Sequence, residues 1–229
     1  MKTIKNISLY IGFAICCLLT FLPNNANAQQ KGFNYGYRFG VGESKLDFKG
    51  VSTGSTKLMF TGGLVTNYQF GRMFGLNADF MFTSKGGRMR GANVITENEV
   101  STINYYNDKY NLFYFEIPIT AKLSIPLNES FSIHALAGPS INFKLLGLET
   151  REYDDATYNY LNGYENQEIK TLETIENSFV YGIGVEVLGK KNKTFFLDFR
   201  KNNSRNPIGY INNHQVKSSY FLISAGFKF

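Results

Sequence analysis

Two histidines follow the first 28 residues, His134 and His214. A hydroxyl or carboxyl beside a histidine is the usual starting point for nucleophilic or acid–base chemistry. His134 alternates with Ser132 and Ser140, which places all three on one face of a strand. His214 falls in a segment that reads as a loop. Neither histidine sits in a His-Glu-x-x-His or phosphate-loop pattern. A histidine on a polar strand face is explained by hydrogen bonding alone. The chain therefore reads as a non-enzyme, with no catalytic residue, no metal site and no cofactor.

The charged residues are more informative. Arg38, Asp79, Glu116, Lys122, Lys144, Glu186, Asp198, Arg200 and Lys228 each occupy one position of an apolar–polar alternation. Three of the puzzles fall in FYFEIPITAKL, Phe113 to Leu123. Its composition is that of a buried strand, yet it holds Glu116, Pro118 and Lys122. In a soluble core strand the two charges would be costly, and Pro118 would interrupt the ladder. Charges of both signs on the inner face of a closed barrel resolve this, because they can pair across a narrow lumen. The expected charge network is Arg38, Asp79, Glu116, Lys122, Glu186, Asp198, Arg200 and Lys228. The missing N–H of Pro118 implies a bulge or a gap in pairing beside it.

The elements that position these residues show period-2 alternation throughout. In YFLISAGFKF, Phe221, Ile223, Ala225, Phe227 and Phe229 share one face, opposite Tyr220, Leu222, Ser224, Gly226 and Lys228. Eight such segments occur, around residues 35–42, 58–70, 74–83, 113–123, 131–144, 179–187, 194–201 and 220–229. Their apolar faces are rich in Phe, and their polar faces are rich in Gly, which suits a crowded barrel interior better than a solvated surface. Connections alternate in length. Those around 71–73, 126–130 and 189–193 are short, while 49–56, 85–109, 147–176 and 202–216 are long. Short turns at one end and long loops at the other are the pattern of outer-membrane barrels. The predicted fold is all-β: an eight-stranded antiparallel up-and-down transmembrane β-barrel with short periplasmic turns and long extracellular loops.

Residues 1–28 differ in composition. Lys2 and Lys5 precede an apolar run from Ile7 to Leu22, and Ala26-Asn27-Ala28 forms an A-x-A site. This reads as a signal peptide cleaved before Gln29, leaving residues 29–229 as the barrel domain. Cleavage removes both cysteines, Cys16 and Cys17, and with them any disulfide or thiolate site. It also removes two positive charges from a formal net charge of +6. The remaining excess is too mild to suggest a nucleic-acid partner.

The strand FYFEIPITAKL resembles the Tyr-x-Glu-Ile-Pro-x-x-x-Lys strand of the small outer-membrane β-barrel proteins of Bacteroidetes, the porin-like group that includes PorT. The matching positions are Tyr114, Glu116, Ile117, Pro118 and Lys122. The aromatic C-terminus, with Phe227 and Phe229, is similar to the signal read by the outer-membrane assembly machinery, which the resemblance implies as a partner. It also implies an outer-membrane location and leaves activity open. The leading expectation is a structural or interaction barrel, with a lumen plugged by charged side chains and external loops as the contact surface. The alternatives are a small porin-like channel and an accessory role in protein secretion.

The long connections are the expected working surface. The 147–176 segment carries Glu149, Glu152, Asp154, Asp155, Glu165, Glu168, Glu173 and Glu176, interleaved with Tyr153, Tyr158, Tyr160 and Tyr164. It is a candidate for contact with an extracellular protein or divalent cations. The basic bases of two other loops, Lys85, Arg88 and Arg90 and then Lys201 and Arg205, are candidates for contact with lipopolysaccharide phosphates in the surrounding lipid.

Overall fold

The computed structural model describes residues 32–51, 54–97, 100–155, 162–189 and 193–229. The leader and its cleavage site, Tyr158, Tyr160 and the Lys190-Lys191-Asn192 turn lie outside these residues. The strands are β1 (Gly32–Phe48), β2 (Gly54–Ser55), β3 (Lys57–Gln69), β4 (Phe74–Glu97), β5 (Val100–Pro126), β6 (Phe131–Tyr153), β7 (Tyr164–Glu168), β8 (Ile175–Leu188), β9 (Thr194–Ser204), β10 (Gly209–Ile211) and β11 (His214–Lys228).

Eight of them form a ring in the order β1-β3-β4-β5-β6-β8-β9-β11, and β11 pairs back to β1. The closing ladder is antiparallel and runs from Gly36↔Lys228 to Phe48↔Val216. Closure removes every edge within the ring, which a membrane-spanning sheet requires. The alternation then decides which side chains face the lipid. Phe39, Phe82 and Ile183 are 68%, 63% and 65% exposed on the outside, while Asp79, Glu116, Lys122 and Asp198 are buried inside. A soluble protein has the reverse distribution.

The periplasmic turns are tight. Phe70 N–H donates to Phe74 O at 2.9 Å, and Leu127 N–H to Phe131 O at 2.9 Å. In the latter turn the Asn128 carboxamide oxygen accepts from the N–H groups of Ser130 and Phe131, an Asx turn.

The other end differs from the expected set of loops. The 85–109 segment is a continuation of β4 and β5, paired from Lys85↔Leu112 to Glu97↔Val100. β5 has 27 residues, and spanning takes about 9–11. β4, β5 and β6 therefore stand well clear of the membrane as a three-stranded extension. Arg88, Arg90 and Lys109 alternate with buried residues here, so the polar character that suggests a loop belongs to one strand face.

The 147–176 and 202–216 segments are also partly ordered. β6 continues to Tyr153 and pairs with β7. β10 and β11 form a hairpin through Asn212 and Asn213, both at positive φ, as a two-residue primed turn demands. Between these strands the chain folds inward. Glu173 N–H donates to Ile208 O at 2.8 Å, and Tyr210 N–H donates to Thr171 O at 3.1 Å. Gly209 (φ 129°) makes the close approach, since a Cβ there would collide with Thr171 O and the Leu172 backbone. As a result Ile169, Leu172, Ile208 and Ile211 are buried against Leu46, Phe48, Tyr110, Leu112 and Val216. This apolar cluster covers the extracellular mouth.

At Pro118 the β5–β6 register is kept through Pro118↔Ser140. The β4–β5 ladder skips from Ala78↔Ile119 to Met81↔Glu116 without a change of register. The β5–β6 ladder also skips, from Pro118↔Ser140 to Ala121↔Ala137, where Pro139 faces Ile119. Pairing is thus interrupted on both sides of this stretch, and Pro118 itself is unpaired on the β4 side. The register shift in the β5–β6 ladder is elsewhere, between Phe113 and Tyr114.

Candidate functional site: the barrel lumen

The inward residues of the ring assemble into two tiers of ion pairs. The periplasmic tier draws on seven of the eight barrel strands. Arg38 of β1 pairs with Asp79 of β4, and with Asp198 of β9 at 2.8 Å. Arg200 bridges the same two carboxylates at 2.9 Å each. His134 Nε2 lies 2.9 Å from Asp198 Oδ1. Beside this group Glu186 of β8 receives Lys122 of β5 at 2.6 Å and Lys228 of β11. The Phe196 ring packs under both Arg38 and Lys228, with Arg38 Cζ 4.8 Å from its centroid. Gly184 makes room for the tier, since a Cβ there would meet Asp198 Oδ1 and Leu197 O.

The second tier lies toward the mouth. Lys85 Nζ sits 2.9 Å from Glu116 and 2.8 Å from Glu176. It lies 4.1 Å from the Tyr114 ring centroid. Tyr220 Oη donates to Glu116 at 2.7 Å, and Ser218 Oγ donates to Glu176. Between the tiers runs a neutral relay, Ser140 to Asn142 at 2.6 Å and Asn142 to Ser178 at 3.0 Å.

All eight residues expected in a charge network face the lumen and are buried. They do not form one network: Glu116 belongs to the upper tier and the other seven to the lower. Lys85 and Glu176, expected on loops, are instead buried in the lumen. The signal for Lys85 was present, because it continues the alternation Asp79, Met81, Thr83. The Ser-Lys-Gly-Gly sequence that follows resembles a turn and hid it. With both included, the lumen holds, among the described residues, five cations and five carboxylates, each with an ionic partner. Lys144 is half-buried and donates to Leu172 O at 2.6 Å, helping to hold the chain over the mouth.

The strand motif divides by face. Tyr114, Glu116, Pro118 and Lys122 point inward and Ile117 outward. Phe227 and Phe229 lie on the outer wall at the periplasmic end, Phe227 5.3 Å from Phe195 and Phe229 6.1 Å from Tyr35 between ring centroids. Ser140 donates to Asn142 rather than meeting His134, so the serine–histidine pairing suggested by the alternation is not made through it. His214 is at the surface, its Nδ1 3.3 Å from Lys49 O. Gly50 to Gly54 spells Gly-x-Ser-x-Gly, but it lies at the β1–β2 connection rather than in a strand-to-helix elbow, and Ser52 lies outside the described residues.

Outside the membrane the inner face of the extension carries a separate cluster. Arg151 forms a two-pronged pair with Asp108, 2.7 Å on each prong, and stacks 4.2 Å from the Tyr106 ring centroid. The hydrogen bonds to Asp108 hold the Arg151 pKa above its ordinary value. Burial, then the Asp108 carboxylate, pushes the Tyr110 phenol up. Burial likewise raises Tyr164. The acids of 147–176 are dispersed. Glu152 pairs with Lys109 and Asp154 with Arg90, while Glu149 and Glu176 are buried. Among the described residues no three acids or histidines converge to hold a metal ion.

A closed eight-stranded ring, apolar outside and charged inside, defines a small transmembrane β-barrel. The chain belongs to the outer membrane protein β-barrel domain family, whose model matches residues 26–208, and the protein resides in the bacterial outer membrane. Similar solved structures include Neisserial surface protein A (14% identity, TM-score 0.46, 86% of this chain and 98% of that one). OprG of Pseudomonas aeruginosa is another (9% identity, TM-score 0.49, 90% and 99%). A third is the attachment invasion locus protein Ail of Yersinia pestis in complex with the heparin analogue sucrose octasulfate (16% identity, TM-score 0.38, 86% and 99%). No curated protein matches the sequence.

Proposed function

We propose that this protein is a non-conducting, non-enzymatic outer-membrane barrel that presents its β4–β5–β6 extension to a protein partner outside the cell. The observation that carries this reading is the outer face of the extension. Val94 and Ile103 are cross-strand partners, and with Tyr105 they are 67%, 55% and 48% exposed. They stand beyond the membrane-spanning part of β4 and β5, where lipid does not cover them. An apolar patch kept in water marks a contact surface. The acidic side chains Glu165 and Glu168 of β7 would give the same extension a charged rim.

The lumen supports the non-conducting part. Two tiers of balanced ion pairs occupy it, and the apolar cluster lies over its mouth. The space left around Arg38, Asn67, His134 and Glu186 is about 10 Å³, room for about one water. A porin-like channel would need a continuous aqueous path. An accessory role in secretion rests on the Tyr114–Lys122 motif. Its polar members here build the lumen ion pairs, so the motif reports how the barrel is constructed.

Planar-bilayer recording of the full chain tests the closed lumen. No steps above baseline are expected, and steady ohmic channels would overturn it. Photo-crosslinking from position 103 on intact cells tests the contact surface. A discrete adduct lost in Val94→Ser/Tyr105→Ser is expected, and the absence of any adduct would refute the patch.

A further inference from the structure

The outer wall of β8, β9 and β11 ends in three cations. On β9 the lipid-facing residues Phe195, Leu197 and Phe199 are followed in the same alternation by Lys201, then by Arg205 just past the strand. Lys201 Nζ lies 4.3 Å from the Phe221 ring centroid on β11, and Arg205 Cζ lies 5.4 Å from the Phe179 ring centroid on β8. Lys217 of β11 stands opposite Arg205 and donates to its carbonyl oxygen at 3.3 Å. Among the described residues none of the three has a carboxylate within ion-pair distance, in contrast to the lumen cations. The acid on the Lys201 row is Glu43, which pairs in register with Phe221. It is two strand spacings from Lys201, about 10 Å.

Directly below these cations the wall is hollowed. A groove of about 590 Å³ runs between Tyr181, Ile183, Phe199, Phe221 and Ile223, with Lys201 and, on the β1 side, Glu43 also lining it. It continues into a second depression of about 390 Å³ across Ala135, Ile133 and Leu123. Ala135, the smallest side chain on this stretch of the outer wall, leaves the floor low beside the Ile133, Ile183 and Phe199 ridges. The groove faces the hydrocarbon layer, and the cations, each laid against an aromatic ring, stand where the apolar wall ends. Aromatic rings mark the membrane–water interface, and an Arg or Lys there is set to meet a phosphate.

We infer that this wall binds a phosphorylated, multiply acylated outer-leaflet lipid, with its phosphates on Lys201 and Arg205 and its acyl chains in the groove. Two phosphates are required rather than one. Lys201 and Arg205 are four residues apart, roughly 13 Å along the strand direction, and they lean to opposite sides, toward β11 and β8. A single phosphate cannot span that separation, whereas a diphosphorylated disaccharide lipid can. The inference rests on the outer-membrane location and is independent of the closed lumen.

Native mass spectrometry of the full chain released from non-ionic detergent tests it, with diphosphoryl lipid A, monophosphoryl lipid A and phosphatidylcholine as probes. The chain should retain diphosphoryl lipid A about tenfold better than phosphatidylcholine, equivalent to about 1.4 kcal/mol. The monophosphoryl form should fall between. Lys201→Gln/Arg205→Gln should lose that preference, and Arg88→Gln/Arg90→Gln on the extension should keep it. Arg205→Gln alone lies outside the strand and leaves the barrel intact, so it serves if the double variant does not fold. It should reduce diphosphoryl retention to the monophosphoryl level. Equal retention of all three lipids, an unchanged Arg205→Gln, an equal loss in the Arg88/Arg90 control, or a second protein copy occupying the wall as a dimer would each overturn the proposal.

Discussion

Replacing Lys85 with methionine removes the single cation between Glu116 and Glu176. Both carboxylates are 2% exposed, and each would keep one donor, Tyr220 or Ser218. Deleting one partner of a buried ionic group costs about 3–5 kcal/mol, because the remaining charge is left without compensation. Lys85 serves two acids at 2.9 and 2.8 Å and also lies over the Tyr114 ring, so the upper part of that range is expected. With a urea slope of roughly 3 kcal/mol per molar, the unfolding midpoint should fall by about 1.3–1.7 M. The folded fraction is read from the mobility difference between unheated and heated samples on gels, after equilibration in lipid vesicles. The companion variant Lys85→Met/Glu116→Gln/Glu176→Gln removes all three charges and should recover most of the loss, since a buried ionic group replaced as a whole is often nearly neutral. A single variant within about 1 kcal/mol of wild type, or a triple variant no better than the single, would show that the upper tier is not a compensated charge cluster.

Asp198→Asn should be destabilising by a similar 3–5 kcal/mol or so, because Arg38 and Arg200 would then share Asp79 alone; an unchanged urea midpoint would refute the lower tier. Gly209→Ala forces a side chain into a positive-φ position against Thr171 O, at a local cost of about 1–3 kcal/mol. Hydrogen exchange at Ile208 and Ile211 should quicken while β8 amides are unaffected, and equal exchange in both proteins would remove the closing role of this segment. Tyr110 is held protonated in the fold by burial and by Asp108, so its folded pKa lies above the ordinary value of 10.0. For an acid shifted upward, the unfolded chain releases its proton first, and stability falls as pH rises above that value. Tyr110→Phe should flatten this alkaline decline relative to wild type in urea titrations between pH 9 and 11, and identical slopes would discount it.

The sequence by itself determined the class of fold and the inner and outer faces. Period-2 alternation is a local property: once Phe39, Phe199 and Ile223 are known to face lipid, Arg38, Arg200 and Leu222 must face inward. It also located the discontinuity at Pro118, because a residue without an N–H cannot complete a ladder in a ring that has no edge. What the tertiary structure decided is everything that depends on register between distant strands. Closure aligned Gly36 with Lys228 and carried Arg38 to Asp198, across 160 positions of chain. The same registers split the expected network into two tiers, assigned Glu116 to the upper one, and recruited Lys85 and Glu176 from segments whose polarity suggested loops. The reason is that a charge in a loop and a charge on the inner face of a long strand look alike in a single sequence. Only pairing with the neighbouring strands shows that β4 and β5 continue far beyond the membrane, and that the connections around Leu172 and Gly209 turn inward to cover the mouth.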